Sequence, residues 1–131
     1  MSLADESDVL RVVVVEDDVQ LRLALTASLR SMGIEVLAQS CDGLEALDAL
    51  ADLHPDLILT DCQMPRLDGI SLVRRLRQRG DDTPVIMISG QDDPQVRAVA
   101  MAAGVNQYLR KPLSVGSLNL ALIQTFPGTA A

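Results

Sequence analysis

Acidic, hydroxyl and ammonium side chains stand directly after four of the short apolar runs in this 131-residue sequence. They are Glu16, Asp17 and Asp18 after the first run, Asp61 after the third, Ser89 after the fourth and Lys111 after the fifth. Two carboxylates about 4 Å apart repel by roughly 4 kcal/mol at an effective dielectric constant of about 20. If Glu16, Asp17 and Asp61 share a site, that site needs a cation or protons, and open sites with hard oxygen ligands suit Mg²⁺.

The acidic residues also have an ordinary structural explanation. Asp17 and Asp18 are typical of a helix N-cap and its first turn, and by themselves they favour that interpretation. Asp61 favours a site instead, because it follows a separate apolar run with no helix start nearby to cap.

Lys111 is the only lysine beside ten arginines, and Ser89 is followed by Gly90. Most lysines are solvated surface charges, but a compact ammonium at a strand end acts as a point charge towards phosphate or carboxylate. Ser89 could donate to the same bound anion, since Gly90 puts no side chain in the way. A nucleophilic aspartate, Mg²⁺, a lysine and a hydroxyl together suit phosphoryl transfer through an aspartyl phosphate.

Five apolar runs alternate with five amphipathic stretches, and these elements must bring the polar residues together. The predicted strands cover residues 10–15, 34–39, 56–60, 84–88 and 106–110, each followed by a helix. β-branched runs without alternation are typical of strands buried on both faces, so we expect a parallel sheet between two helical layers. We predict an α/β, doubly wound fold in one domain, which binds ligands at the carboxyl edge of its sheet.

Local signals predict several helix ends. Asp42 with Glu45 three residues later is typical of a capping pair. The helix that it opens is predicted to bring Leu47, Leu50 and Leu53 to the core and to stop before Pro55. Asp93-Pro94 predicts the start of the fourth helix, and Gly104 its end.

Composition excludes several classes of function. The net charge of −7 leaves no basic footprint for a nucleic-acid backbone, and two cysteines make neither a disulfide framework nor a four-ligand zinc site. A single histidine excludes catalysis by several histidines. No apolar run approaches the ~20 residues that span a bilayer, and no export signal opens the chain, so we expect a cytoplasmic protein without a membrane partner.

Five segments, in this order, resemble the receiver domain of two-component response regulators. They are residues 12–18, 56–65, 67–69, 84–90 and 108–112. The resemblance covers about residues 9–125, which we expect to form one receiver domain with flexible termini at 1–8 and 126–131. It implies an α/β, doubly wound (βα)5 flavodoxin-like sandwich with a five-stranded parallel sheet of order 2-1-3-4-5. It implies a phosphorylation-dependent switch rather than a conventional enzyme, without its own output domain in this chain. Such a switch is a stand-alone regulator or the receiver of a longer regulator or hybrid histidine kinase.

The resemblance also implies a role for the acidic residues. Asp61 accepts a phosphoryl group from a histidine kinase or a histidine phosphotransfer protein. Asp17, Asp61 and the backbone carbonyl of Gln63 ligate Mg²⁺, with Glu16 acting through water. Gln63 and Gln91 occupy variable positions that flank the phosphoryl group and tune the rate of dephosphorylation.

The resemblance further implies that Lys111 pairs with the phosphoryl group and that its bond to Pro112 is cis. Ser89 is the switch hydroxyl, and Tyr108 is the switch aromatic residue that turns inward behind it. The surface of the fourth helix, fifth strand and fifth helix then meets an unidentified downstream protein or output domain. Leu113 departs from the pattern, because an aromatic residue often follows the Lys-Pro pair.

Three alternatives share part of this pattern. A small aspartyl-phosphate phosphatase of the haloacid dehalogenase type has its nucleophile after the first strand in an Asp-x-Asp motif, whereas Glu16-Asp17-Asp18 stands there in this chain. A flavodoxin-like FMN carrier needs a glycine- and hydroxyl-rich phosphate loop at that position, where acids repel the cofactor. A pseudo-receiver that binds partners without being phosphorylated stays open, although its pocket is usually broken and this one is complete.

Overall fold

In a computed structural model, which describes residues 9–91 and 93–127, five strands alternate with five helices. The strands are β1 (Arg11–Val15), β2 (Glu35–Ser40), β3 (Leu57–Asp61), β4 (Val85–Ser89) and β5 (Gln107–Arg110). The helices are α1 (Val19–Ser31), α2 (Gly43–Ala49), α3 (Gly69–Gln78), α4 (Pro94–Ala103) and α5 (Val115–Thr125). Of the termini predicted to be flexible, residues 1–8 and 128–131 lie outside the described residues. No helix within the described ranges is long and apolar enough to cross a membrane.

The strands form one parallel sheet of order β2-β1-β3-β4-β5, which confirms the predicted fold. The chain passes from β1 outward to β2 and then returns to β3 on the other side of β1. This reversal of direction leaves a crevice beyond the carboxyl ends of β1 and β3. Asp61 pairs in register with Ile88, and Ser89 pairs with Arg110, so the last residues of β3, β4 and β5 lie at nearly the same level.

Each face of the sheet is covered by a separate apolar layer. Val13 and Val15 of β1 pack with buried residues of α2, α3 and α4, whereas Val12 and Val14 pack with those of α1 and α5. All four valines are almost completely buried. The unbroken valine run of β1 therefore follows from burial on both faces, as the sequence predicted.

The predicted helix starts agree with the observed caps. The Asp42 carboxylate accepts from the backbone N–H of Glu45, and the Asp93 carboxylate accepts from that of Gln95. Gly104 ends α4 with a φ of 115°, a left-handed conformation that favours glycine.

The helix α2 stops before Pro55, as predicted, but it already ends at Ala49 and leaves Leu50 and Leu53 outside the helix. Leu50 is buried as the C-cap residue, and the next residues tighten into i to i+3 turns, with Ala51 N–H donating to the Asp48 carbonyl. These turns bring Leu53 against the core while redirecting the chain into β3. Tertiary packing therefore overrides the helical spacing of the leucines.

Candidate functional site

Three carboxylates from two strand ends meet in the crevice beyond β1 and β3. Glu16 is only 1% exposed and Asp61 is also buried, whereas Asp17 is exposed to solvent. One carboxylate oxygen from each residue lies within 4.8 Å of those of the other two. The backbone N–H of Glu16 donates to the Ser40 carbonyl at 3.0 Å, which continues the β1–β2 ladder and positions Glu16 over the crevice.

Glu16 has an incomplete set of partners. Its Oε2 accepts from the backbone N–H of Asp18 at 3.0 Å. Its buried Oε1 accepts no hydrogen bond from any described residue, although Lys111 Nζ lies 3.2 Å away as an ion-pair partner. Burial raises the pKa of Glu16 to about 7, the negative charge of Asp61 adds to this rise, and the Asp18 N–H opposes it. The ion pair with Lys111 therefore does not fully offset the cost of burying the Glu16 carboxylate.

Lys111 is the cation that faces these acids. Its Nζ lies 3.2 Å from Asp61 Oδ2 and 3.2 Å from Glu16 Oε1. Burial lowers the pKa of Lys111, but the attraction of Asp61 and Glu16 outweighs burial and leaves the pKa raised, so the ammonium stays charged. The backbone N–H of Lys111 donates to the Ser89 carbonyl, and the bond to Pro112 is cis.

The donor set fits a hard divalent cation. Three carboxyl groups face one ammonium, so full ionisation would leave two negative charges uncompensated, and one buried oxygen of Glu16 has no donor among the described residues. The exposure of Asp17 leaves one side open to water, which suits Mg²⁺ because it keeps several waters when bound. Gln63, whose carbonyl is the remaining predicted ligand, lies two residues beyond the end of β3. Asp18 instead caps α1, since its side chain accepts from two backbone N–H groups of the first turn.

Ser89 and Tyr108 hold one residue of the loop between β4 and α4. Ser89 is buried, and its Oγ accepts from the backbone N–H of Gln91 at 3.0 Å. Tyr108 is 7% exposed, and its hydroxyl donates to the Gln91 carbonyl at 3.4 Å. The Arg97 guanidinium lies 5.7 Å from the centre of the Tyr108 ring, within cation–π range. The loop that follows Ser89 is thus tied to both predicted switch residues.

Gly69 positions the site without being predicted to do so. Its N–H donates to the Cys62 carbonyl at 2.8 Å, and a Cβ at this position would overlap the Asp61 carbonyl oxygen. Only glycine lets α3 begin this close to the end of β3. The available signal was a glycine directly after Asp68, the residue that caps α3.

An ion pair between loops was also missed. The Arg66 guanidinium lies 2.8 Å from Asp42 Oδ2, joining the loop after β3 to the cap of α2. Arg66 has a φ of 69°, which is unusual for a residue other than glycine. No local signal predicts this contact, because its partners are 24 positions apart in the chain.

Comparison with known proteins identifies the family of this chain. The sequence model of the response regulator receiver domain matches residues 12–123. The chain is 42% identical over 109 residues to response regulator MprA of Mycobacterium sp. (strain KMS), covering 82% of this chain and 46% of that protein. It is 41% identical over 110 residues to response regulator MprA of Mycobacterium avium (strain 104), covering 83% and 47%. The chain thus spans a little under half the length of these relatives.

Solved receiver structures share the fold. The Francisella response regulator 1452 receiver domain superposes with a TM-score of 0.80 at 33% identity, covering 88% of this chain and 98% of that one. CheY in a CheX–CheY–BeF3–Mg²⁺ complex from Borrelia burgdorferi gives a TM-score of 0.86 at 25% identity, covering 89% of each chain. With the family model matched over most of its length, the chain belongs to the response regulator receiver domains of two-component signalling, as the sequence predicted.

Proposed function

We propose that this chain is a phosphorylation-dependent signalling switch in which Asp61 accepts a phosphoryl group from a phosphohistidine donor. The observation that carries this proposal is the buried Asp61 carboxylate held 3.2 Å from Lys111 Nζ, beside Glu16 and Asp17. Membership of the receiver family supports a histidine kinase as the source of the phosphoryl group, directly or through a histidine phosphotransfer protein.

The transfer uses Asp61 as the nucleophile. An Asp61 carboxylate oxygen forms a bond to phosphorus, the bond between phosphorus and the donor's imidazole nitrogen breaks, and its electron pair returns to that nitrogen. Lys111 offsets negative charge on the phosphoryl oxygens, since its ammonium already contacts Asp61. Ser89 Oγ accepts from the Gln91 N–H, and in the phosphorylated chain we expect its own hydrogen to be donated to a phosphoryl oxygen.

Asp17, Asp61 and the Gln63 carbonyl would hold Mg²⁺ in this site, with Glu16 acting through water. When bound, the cation supplies neutralisation of the negative charge that gathers on the acids and the phosphoryl group. The CheY complex of Borrelia burgdorferi contains both Mg²⁺ and BeF3, which supports the same arrangement here. The uncompensated charge of the three carboxylates supports it independently.

The signal passes outward through Gln91. A shift of Ser89 towards the phosphoryl group pulls on the Gln91 N–H, and the Gln91 carbonyl in turn binds the Tyr108 hydroxyl. Because Tyr108 lies on β5 and contacts Arg97 of α4, the surface of α4, β5 and α5 changes with it. We propose that a downstream protein or output domain binds this surface, and that the chain signals rather than turning over a substrate.

Phosphorylation by a small-molecule donor tests the proposal. Incubated with acetyl phosphate and Mg²⁺, the wild-type chain is expected to gain the mass of one phosphoryl group, and Asp61→Asn none, because the nucleophilic oxygen is lost. The matched control Asp52→Asn removes an exposed acid from the turns after α2 and leaves the mass gain unchanged. Intact-protein mass spectrometry measures all three.

Two results would contradict the proposal. One is an undiminished mass gain on Asp61→Asn, which moves the acceptor elsewhere. The other is no gain on the folded wild-type chain, which favours a pseudo-receiver that only binds partners.

A further inference from the structure

The helices α3 and α4 form a basic region in an acidic protein. They contain Arg74, Arg75, Arg77 and Arg97 and no acidic residue. Because these two helices contribute +4 to a net charge of −7, the rest of the chain carries −11. A charge distribution this uneven favours an acidic partner at the two helices and disfavours one elsewhere.

An open groove runs between the same two helices, hereafter the α3–α4 groove. Its first part has a volume of about 520 Å³ and extends from Gln63 and Gln91, at the carboxyl edge of the sheet, to Arg74 and Val99. A second part of about 320 Å³ continues from Arg74 and Val99 to Ala103 near the end of α4. The two parts share lining residues and therefore form one continuous surface along α4.

The lining combines apolar side chains with an unpaired cation. Ile70, Val96 and Val99 line the groove, and Val99 is 43% exposed. Arg74 is exposed and has no ion-pair partner among residues 9–91 and 93–127. Asp68 is the acid of the lining, and its carboxylate is bound to the backbone N–H and hydroxyl of Ser71. Across both parts of the groove the charged lining residues are Arg74, Arg77 and Asp68, so the lining carries a net charge of +1.

We propose that the α3–α4 groove docks an acidic amphipathic segment of a partner protein. Apolar side chains of that segment cover Val96 and Val99, and a carboxylate pairs with Arg74. The ten residues of α4 make it about 15 Å long, which matches roughly three turns of a partner helix. The groove is separate from the α4–β5–α5 surface, because its second wall is α3.

The groove also borders the candidate phosphorylation site. Gln91 lines it while its backbone is bound by both Ser89 and Tyr108, so a shift of Ser89 reshapes this end of the groove. Docking is therefore coupled to the state of Asp61, and this coupling, unlike the docking itself, rests on the proposed function.

A peptide titration tests the docking. The probe is a synthetic helical peptide with leucines and glutamates at i, i+4 spacing, added to the ¹⁵N-labelled chain, with a second peptide carrying lysine in place of each glutamate. We expect amide shifts confined to the groove with the acidic peptide, weakened by added salt, and none with the basic peptide. Absence of groove shifts with the acidic peptide, or shifts centred on another face, would overturn the proposal.

Matched variants locate the contacts. Arg74→Glu and Val99→Asp should weaken the acidic peptide about tenfold, because each places a negative charge against it. The control for Arg74→Glu is Arg75→Glu, which changes the neighbouring exposed arginine that does not line the groove. The control for Val99→Asp is Met101→Asp, because Met101 is 42% exposed and lies on α4 with Val99. Equal losses in variants and controls contradict the docking. If the amide signals of the groove shift with the concentration of the chain in the absence of peptide, the groove binds a second copy of the chain, and the proposal is also overturned.

Beryllofluoride with Mg²⁺ tests the coupling. We expect the peptide affinity to change when they are added to the wild-type chain and to stay constant in Asp61→Asn. If acetyl phosphate labels the wild-type chain but beryllofluoride with Mg²⁺ does not change its peptide affinity, the coupling alone is overturned. Peptide binding by a chain that is never labelled overturns the proposed function and leaves the groove in place.

Discussion

Glu16 is the residue in which burial and charge conflict most directly. Its side chain is 1% exposed, yet one carboxylate oxygen accepts no hydrogen bond from a described residue, and burial raises its pKa to about 7. Lys111 offsets part of this charge and is shared with Asp61. An isolated carboxylate in this position is costly, so the arrangement depends on cations reaching the crevice.

Mg²⁺ should therefore stabilise the folded chain. At a Mg²⁺ concentration ten times its Kd, the free energy of unfolding should rise by roughly 1.4 kcal/mol. Asp17→Asn should be more stable than the wild type without Mg²⁺, because one repulsive charge is gone, and should lose most of the response to Mg²⁺. Urea unfolding at constant ionic strength measures both, with the exposed Asp48→Asn as the charge-matched control. If Mg²⁺ raises the free energy of unfolding of Asp17→Asn as much as that of the wild type, the cation binds elsewhere.

Cys41 should react slowly for an exposed thiol. Its Sγ lies 3.1 Å from Glu45 Oε2, and this hydrogen bond raises the pKa of Cys41 above its usual value of 9.0. The thiolate fraction at pH 8 is therefore reduced, and the alkylation rate should rise with pH and level off only above that pKa. Glu45→Gln should lower the pKa and speed alkylation by iodoacetamide at pH 8, whereas Asp48→Asn on the same helix should not. A pH–rate profile that is identical in Glu45→Gln contradicts this prediction.

At the scale of elements, two glycines in helices have opposite roles. A Cβ at Gly69 would overlap the Asp61 carbonyl oxygen, whereas a Cβ at Gly116 of α5 has Ser114 Oγ as its nearest neighbour at 3.9 Å. Gly69→Ala should cost roughly 2–3 kcal/mol, because α3 must move away from β3. Gly116→Ala should stabilise the chain by about 1 kcal/mol through helix propensity. Urea midpoints at unchanged m-values measure both. An unchanged midpoint in Gly69→Ala would contradict the close approach of α3 to the end of β3.

Arg77 connects α3 to two other loops. Its guanidinium donates to the carbonyls of Asp81 and Thr83 at 2.9 Å and of Gly104 at 2.7 Å. Arg77→Lys should cost about 2–3 kcal/mol, because a single ammonium cannot reproduce the planar fork and leaves carbonyls without a donor. Arg75→Lys changes an exposed arginine of the same helix and should be neutral within about 0.5 kcal/mol. Equal urea midpoints for the two variants would show that Arg77 is not structural.

At the scale of the whole molecule, the strand order separates two charged regions. It gathers Glu16, Asp61 and Lys111 at the carboxyl edge of the sheet, although Lys111 and Asp61 are 50 positions apart. It also places α3 beside α4, so that their arginines form one basic region next to the acidic crevice. A partner that carries both a phosphoryl donor and an acidic segment would therefore meet each on a different surface.

The accuracy of the sequence predictions follows the range of the interactions involved. Asp42 and Asp93 cap helices as predicted, because capping joins groups two or three residues apart. The early end of α2 at Ala49 was not predicted, since the burial of Leu50 and the turns after it depend on how the helix packs against the sheet. The start of each of the five strands was predicted one residue too early, which lies within the usual uncertainty of element boundaries.

The sequence by itself determined the alternation of strands and helices, the parallel sheet, and the acidic, hydroxyl and ammonium residues at the strand ends. These properties depend on hydrophobic periodicity and local hydrogen bonding, which are determined by residues close together in the chain. Only the tertiary structure decided that Lys111 lies between Asp61 and Glu16, that Gln91 joins Ser89 to Tyr108, and that Gly69 must lack a side chain. Those contacts join residues far apart in the chain, and their distances depend on strand order and close packing, which no local pattern encodes.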